Sequence, residues 1–245
     1  MDINLNGIVA IVGNYGSGKT EISINLAVDQ KRAGKDVRVA DLDLVNPYFR
    51  TREARAPLSE MGIDVVLPNE AYLDADLPVL SPLVAGMLRR PSQLVILDVG
   101  GDGVGSTVLA SLAEPLKGKK VHVLQVVNHF RPSTDSIAGC LEIKEKIERA
   151  SRLTISGLVG NANLIDETTP ADIYNGYAFV NKLSQASGLP LVFVTAPSAL
   201  IPGIEAGKIH CPVLSINRQM IPPWQKAASL GGGSFPQRPN MIQKQ

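Results

Sequence analysis

The string Gly13-Asn14-Tyr15-Gly16-Ser17-Gly18-Lys19-Thr20 carries residue types suited to a phosphate chain, at the spacing GxxxxGK[ST]. Glycines let the backbone fold around a phosphate so that successive N–H groups face inward. A helix starting there turns its positive dipole end to the same anion. Lys19 is placed to bridge β- and γ-phosphate oxygens, and the Thr20 hydroxyl to ligate Mg²⁺, which favours octahedral oxygen ligands. Two acidic stretches fit the same chemistry. Asp98 closes the aliphatic run Leu94-Val95-Ile96-Leu97 and precedes Val99-Gly100-Gly101-Asp102-Gly103. A carboxylate at the end of a buried parallel strand is suited to holding a Mg²⁺-bound water. Asp41 and Asp43 leave another aliphatic run two residues apart. One can approach the metal shell while the other reaches the water that attacks the γ-phosphate. Each motif has an ordinary alternative, a tight glycine turn or a solvated loop carboxylate. Their combination points to a nucleotide.

Positioning these residues requires strands that end at one edge. Short aliphatic runs fall at residues 8–12, 37–40, 63–67, 94–97, 121–127, 155–159 and 191–194. Most are Val/Ile-rich without alternation, as strands covered on both faces are. Helix-compatible stretches lie between, at 20–33, 77–90, 133–149 and 171–187. Gly34 follows the first of them and Gly188 the last, each a natural C-terminal stop. The alternation predicts βαβ units and an α/β, doubly wound, mostly parallel sheet with helices on both faces. Residues 1–220 read as one nucleotide-binding domain. Residues 221–245, with Pro222, Pro223, Trp224 and Gly231-Gly232-Gly233 before Pro236 and Pro239, read as a Pro/Gly-rich tail.

Together these elements resemble the ParA/MinD-type ATPases, the deviant-Walker (SIMIBI) branch of P-loop NTPases, over roughly residues 7–215. The resemblance rests on the phosphate loop, Asp41-Leu42-Asp43, Asp98 with its glycines, and Gly157-Leu158-Val159-Gly160-Asn161. It implies an ATP- and Mg²⁺-dependent hydrolase with residues 13–20 around the phosphates. Thr20, Asp41 and Asp98 would serve the metal, and Lys19 and Asp43 the reaction, with Asp43 positioning the water. It also implies a base edge held by Asn161, with Asn163 a second candidate, and adenine framed by Thr195-Ala196-Pro197-Ser198. The chain departs from the family in one respect: the signature lysine is replaced by Asn14, followed by Tyr15. In the family that lysine crosses to the other subunit of an ATP-sandwich homodimer. Arg50 and Arg52 are nearby cations that could act in its place. Asn46-Pro47-Tyr48-Phe49 beside them reads as a lid, a partner contact or simple packing.

Other features narrow the function. A net charge of +1 and 4% aromatic residues argue against nucleic acid as the partner. Two cysteines, Cys140 and Cys211, make neither a disulfide framework nor a metal knuckle. His129, at a strand end, is a candidate nucleotide-side or partner contact. Lys144, Lys146, Arg149 and Arg152 alternate with Glu142, Glu145 and Glu148, the pattern of a solvated salt-bridged face. No basic leader precedes residues 8–12 and no run reaches membrane-spanning length, so a soluble cytoplasmic chain without membrane contact is expected. The Gly/Pro content of the tail excludes an amphipathic anchor there. The expected function is a slow ATPase acting as a nucleotide-dependent switch on a protein client, with residues 43–52 and 99–107 moving. A small-molecule kinase or ligase of the dethiobiotin-synthetase kind is the enzyme alternative, marked by stimulation by one small substrate. A non-catalytic nucleotide-gated module is the other, marked by tight binding without turnover. Absence of an Asn-Lys-x-Asp base motif favours adenine over guanine.

Overall fold

The computed structural model describes residues 2–43, 54–67, 82–101 and 103–220. Several sequence expectations fall outside these: the segment holding Asn46, Pro47, Tyr48, Phe49, Arg50 and Arg52, the start of the helix expected from residue 77, Asp102, and the tail 221–245 with Trp224.

Eight strands form one parallel sheet. They are β1 (Gly7–Gly13), β2 (Val37–Leu42), β3 (Asp64–Val66), β4 (Leu94–Val99), β5 (Val121–Val127), β6 (Gly157–Gly160), β7 (Leu191–Pro197) and β8 (Val213–Ile216). The spatial order is β3-β2-β4-β1-β5-β6-β7-β8. Parallel neighbours need long crossovers. These carry the helices α1 (Lys19–Arg32), α2 (Arg55–Glu60), α3 (Pro82–Arg89), α4 (Gly103–Ser111), α5 (Ala113–Leu116), α6 (Ile137–Ser151) and α7 (Pro170–Ser187).

Side chains alternate across a strand, so each strand feeds two cores. On one face Val9, Ile11, Val39, Ile96, Val126 and Phe193 pack with Ile22 and Leu26 of α1. On the other, Ile8, Ala10, Val12, Leu97 and Val123 meet Leu88 of α3, Leu109 of α4 and Ile147 of α6. Burial of each large aliphatic side chain stabilises by about 1.5–3 kcal/mol. Polar alternation is therefore absent from β1, and a non-alternating aliphatic run is the correct signature of a central strand.

Helix ends follow local chemistry. The Ser136 side chain accepts a hydrogen bond from the Gly139 backbone N–H, so α6 starts at Ile137, later than the expected 133. Thr169 and Asp172 form a reciprocal capping box around Pro170 at the start of α7. β8, α2, α4 and α5 had no counterpart in the sequence expectations. α4 in particular begins at Gly103, inside the stretch expected as a glycine-rich loop.

β1 sends the chain toward β2 on one side, and its neighbour β5 sends it toward β6 on the other. The carboxyl ends of β1, β4 and β5 therefore face a crevice at the topological switch point, where ligands bind in open α/β sheets.

Candidate functional site

The phosphate loop leaves β1 at this crevice and runs directly into α1. Gly18 caps the helix with φ 92° and ψ 22°, a left-handed conformation that a side chain resists. A Cβ there would also run into Asn161 Nδ2. Ser17 is buried, and its Oγ has no hydrogen-bond partner among the described residues. Lys19 is only 7% exposed, and its Nζ donates to the Asn14 carbonyl at 3.0 Å. The lysine thus reaches back across the loop to its first residues. Asn14 donates from Nδ2 to Pro132 O at 3.0 Å. Tyr15 stands 71% exposed at the loop tip.

Three acidic residues stand at the carboxyl ends of the neighbouring strands β2 and β4. Asp41 and Asp98 are direct register partners between β2 and β4, and Asp98 is also the partner of Ile11 in β1. Both carboxylates are buried. Asp98 Oδ1 accepts from Ser23 Oγ of α1 at 3.1 Å, and Asp41 Oδ1 accepts from the Asp43 backbone N–H at 3.1 Å. The turn after β4 closes over the same point. A Cβ built on Gly100 would lie 3.1 Å from Asp43 Oδ1, and one on Gly101 2.7 Å from Lys19 Nζ and 2.8 Å from Tyr15 Cα. Lys19, Asp41, Asp43 and Asp98 are therefore gathered at one spot by three strands and one helix.

Burial of two neighbouring carboxylates is offset only by opposite charge or by hydrogen bonds around them. The donors available, carboxylate oxygens and the Thr20 hydroxyl at the first turn of α1, are hard oxygens that suit Mg²⁺. Among the described residues no group of three or more His, Cys, Asp or Glu could hold a metal by itself.

On the far side of the loop, Asn161 follows β6. Its Nδ2 donates to Ser17 O at 2.7 Å, and its Oδ1 accepts from Thr195 Oγ1 of β7. One amide N–H and one oxygen lone pair remain after these bonds. Asn163 Oδ1 accepts from the Ile165 N–H, and its backbone carbonyl accepts from Asn128 Nδ2. Pro197 ends β7 and precedes a 3-10 turn at Ser198–Gly203. Two residues with no sequence signal complete this side. Glu21 accepts the backbone N–H groups of Gln219 and Met220 at 2.7 and 2.9 Å, and Asn25 pairs with the backbone of Asn217. Burial pushes the Glu21 carboxyl up, and the N–H groups of Met220 and Gln219 pull it back. The first turns of α1 thus clamp the chain after β8.

The weaker candidates have defined surroundings. His129 stacks on Phe179 and lies against the tilted Phe130 ring, and burial pushes its imidazole down, opposed by nearby Asp172. Cys140 is buried in α6, and its thiol is pushed up to about 12, first by burial. Burial raises the Cys211 thiol to about 11. Neither thiol has the depressed value of a nucleophile. Lys144–Glu148 and Lys146–Glu142 form ion pairs one helical turn apart on α6. Among the described residues no helix is long and apolar enough to cross a membrane.

No protein-family model matches the chain, and no curated protein does. Solved structures do. The cell division protein FtsY of Thermotoga maritima matches with a TM-score of 0.56 and 20% identity, over 80% of this chain and 65% of that one. Chloroplast FtsY of Physcomitrella patens matches at 0.53 and 16%, over 84% and 61%. The 54 kDa protein of the signal recognition particle from Aeropyrum pernix, solved in complex with GDP, matches at 0.51 and 17%, over 76% and 40%. The chain thus spans under two thirds of each of these proteins. At such identities the likeness shows architecture, and the architecture of this chain is the α/β P-loop NTPase fold.

Proposed function

We propose that the chain binds a nucleoside triphosphate with Mg²⁺, hydrolyses it slowly, and uses the change of state to switch its hold on a protein client. The observation that carries this reading is the meeting of Lys19, Asp41, Asp43 and Asp98 at the carboxyl ends of β1, β2 and β4. Residues 13–20 surround the phosphates: the backbone of Gly13, Asn14, Tyr15, Gly16, Ser17 and Gly18 supplies N–H donors, and Lys19 neutralises charge at the β- and γ-oxygens. Thr20, Asp41 and Asp98 would hold magnesium, which when bound draws charge from the phosphate oxygens. Asp43 orients the attacking water. The turn at residues 99–101 touches both Lys19 and Asp43, so a change at the γ-phosphate reaches the surface through it.

ATP is the nucleotide proposed. Asn161 retains one donor and one acceptor for a base edge, and Pro197 flanks the same side. Guanine is a second reading, favoured by the GDP bound in one structural neighbour. Calorimetric titration with Mg·ATP and Mg·GTP, for wild type and Lys19→Ala, tests both. The expected result is tighter binding of ATP, weakened at least about 30-fold in the variant, as for loss of one member of a desolvated charge pair. Tighter GTP binding overturns the base assignment. Equal binding by the variant overturns the site.

A further inference from the structure

We infer that Arg131 is a phosphate-binding residue of this site, one that supplies positive charge to the terminal phosphates from within the same chain. The inference rests on the nucleotide site proposed above. Arg131 lies in the turn after β5, far from the phosphate loop in sequence. The structure places it beside Gly16: a Cβ built there would lie 3.8 Å from Arg131 Nε and 3.9 Å from its Cδ. That Nε is buried and has no hydrogen-bond partner among the described residues. A guanidinium N–H withdrawn from water without an acceptor is costly, and buried polar groups in native proteins are nearly always satisfied. An orphaned donor against a phosphate loop is explained by an anionic acceptor that arrives with the ligand.

The turn that carries Arg131 is built as a platform. The Arg131 N–H donates to Asn128 O at 3.0 Å, and the Thr134 hydroxyl donates to the same carbonyl at 2.7 Å. Asn128 Oδ1 accepts from the Phe130 N–H, and its Nδ2 donates to Asn163 O. The platform is docked on the loop itself, through Asn14 Nδ2 and Pro132 O. The same Asn14 supplies the carbonyl that Lys19 Nζ reaches. Arg131 therefore flanks the end of the loop where the lysine acts, which is the β/γ end of a bound triphosphate. Lys19 is the only cation among residues 13–20. A magnesium-bound triphosphate is still an anion, and guanidinium offers fixed, planar donors to phosphate oxygens. Transition-state charge on the transferring phosphoryl group would strengthen that contact.

The test compares wild type, Arg131→Ala and Arg131→Lys by titration with three magnesium-bound probes: the tighter of ATP and GTP, its diphosphate, and the diphosphate with aluminium fluoride as a planar phosphoryl mimic. Melting temperature and single-turnover cleavage are read alongside. Arg131→Ala is expected to weaken the triphosphate and the fluoride complex about 10- to 100-fold, the diphosphate less, with cleavage falling in parallel and melting unchanged. Arg131→Lys is expected to recover part of the loss. Wild-type values for all three probes in Arg131→Ala overturn the inference. So does an equal loss for all three with a lowered melting temperature, which marks a structural role. A wild type that binds none of the probes overturns the nucleotide site as well.

Discussion

Charge at the site is set by single residues whose environments differ sharply. Asp41 and Asp98 are buried register partners, while Glu21 lies one residue beyond Thr20 and faces the chain after β8. Burial raises the Glu21 carboxyl above its ordinary 4.5, with the Met220 and Gln219 N–H groups, Asn25 and Arg218 opposing. A folded carboxyl that binds its proton more tightly than the unfolded one contributes stability below 4.5, and this is lost as pH rises through the folded value. Glu21→Gln removes that titration. Its unfolding free energy relative to wild type should therefore climb as pH rises through that window, then level. Denaturant unfolding over a pH series measures it, and a flat difference contradicts the assignment. Individual roles were unevenly legible at this scale. Lys19, Asp41 and Asp98 stood out because a spacing or a strand end marks them. Glu21 and Arg131 carried no such mark, since what matters is the distant backbone or loop each one meets.

Elements tell a similar story about glycine. The stretch after Asp98 reads as a loop because glycines lower helix propensity, yet α4 starts at Gly103. Gly105 is there for close approach: a Cβ would lie 2.5 Å from the Cα, C and O of Gly100, and Gly100 in turn abuts Asp43. Gly105→Ala should destabilise the chain by about 1–3 kcal/mol, seen in thermal melting, and slow cleavage by displacing the turn from Asp43. Unchanged melting and turnover would mean that α4 and that turn are not tightly coupled. Central strands were legible because double burial writes an aliphatic run. β8 was not: four residues after Pro212, with Ser215 exposed in the middle, are too short and mixed for periodicity to register. Its place is fixed by packing of Leu214 and Ile216 and by the clamp from Glu21 and Asn25.

At the scale of the whole molecule, the sheet order could not be read from the run of strands. It places β4 between β1 and β2, and so brings Asp98 beside Asp41 and next to the phosphate loop. That adjacency makes two separate acidic motifs one site. Ligand linkage follows: Mg²⁺ with the cognate triphosphate at about 100 times its dissociation constant should stabilise the fold by about 2.7 kcal/mol, raising the melting temperature, and Lys19→Ala should abolish most of the rise. A rise unaffected by Lys19→Ala would place binding elsewhere. The most direct test of the account is single-turnover cleavage of ATP and GTP, with Mg²⁺ and after chelation, for wild type and Asp43→Ala. The account predicts slow cleavage by wild type, abolished by chelation and reduced at least about 100-fold in the variant, as for loss of a group that positions a reacting water. A triphosphate that binds tightly and stays intact in both proteins would contradict it, leaving a nucleotide-gated binding module in place of a hydrolase.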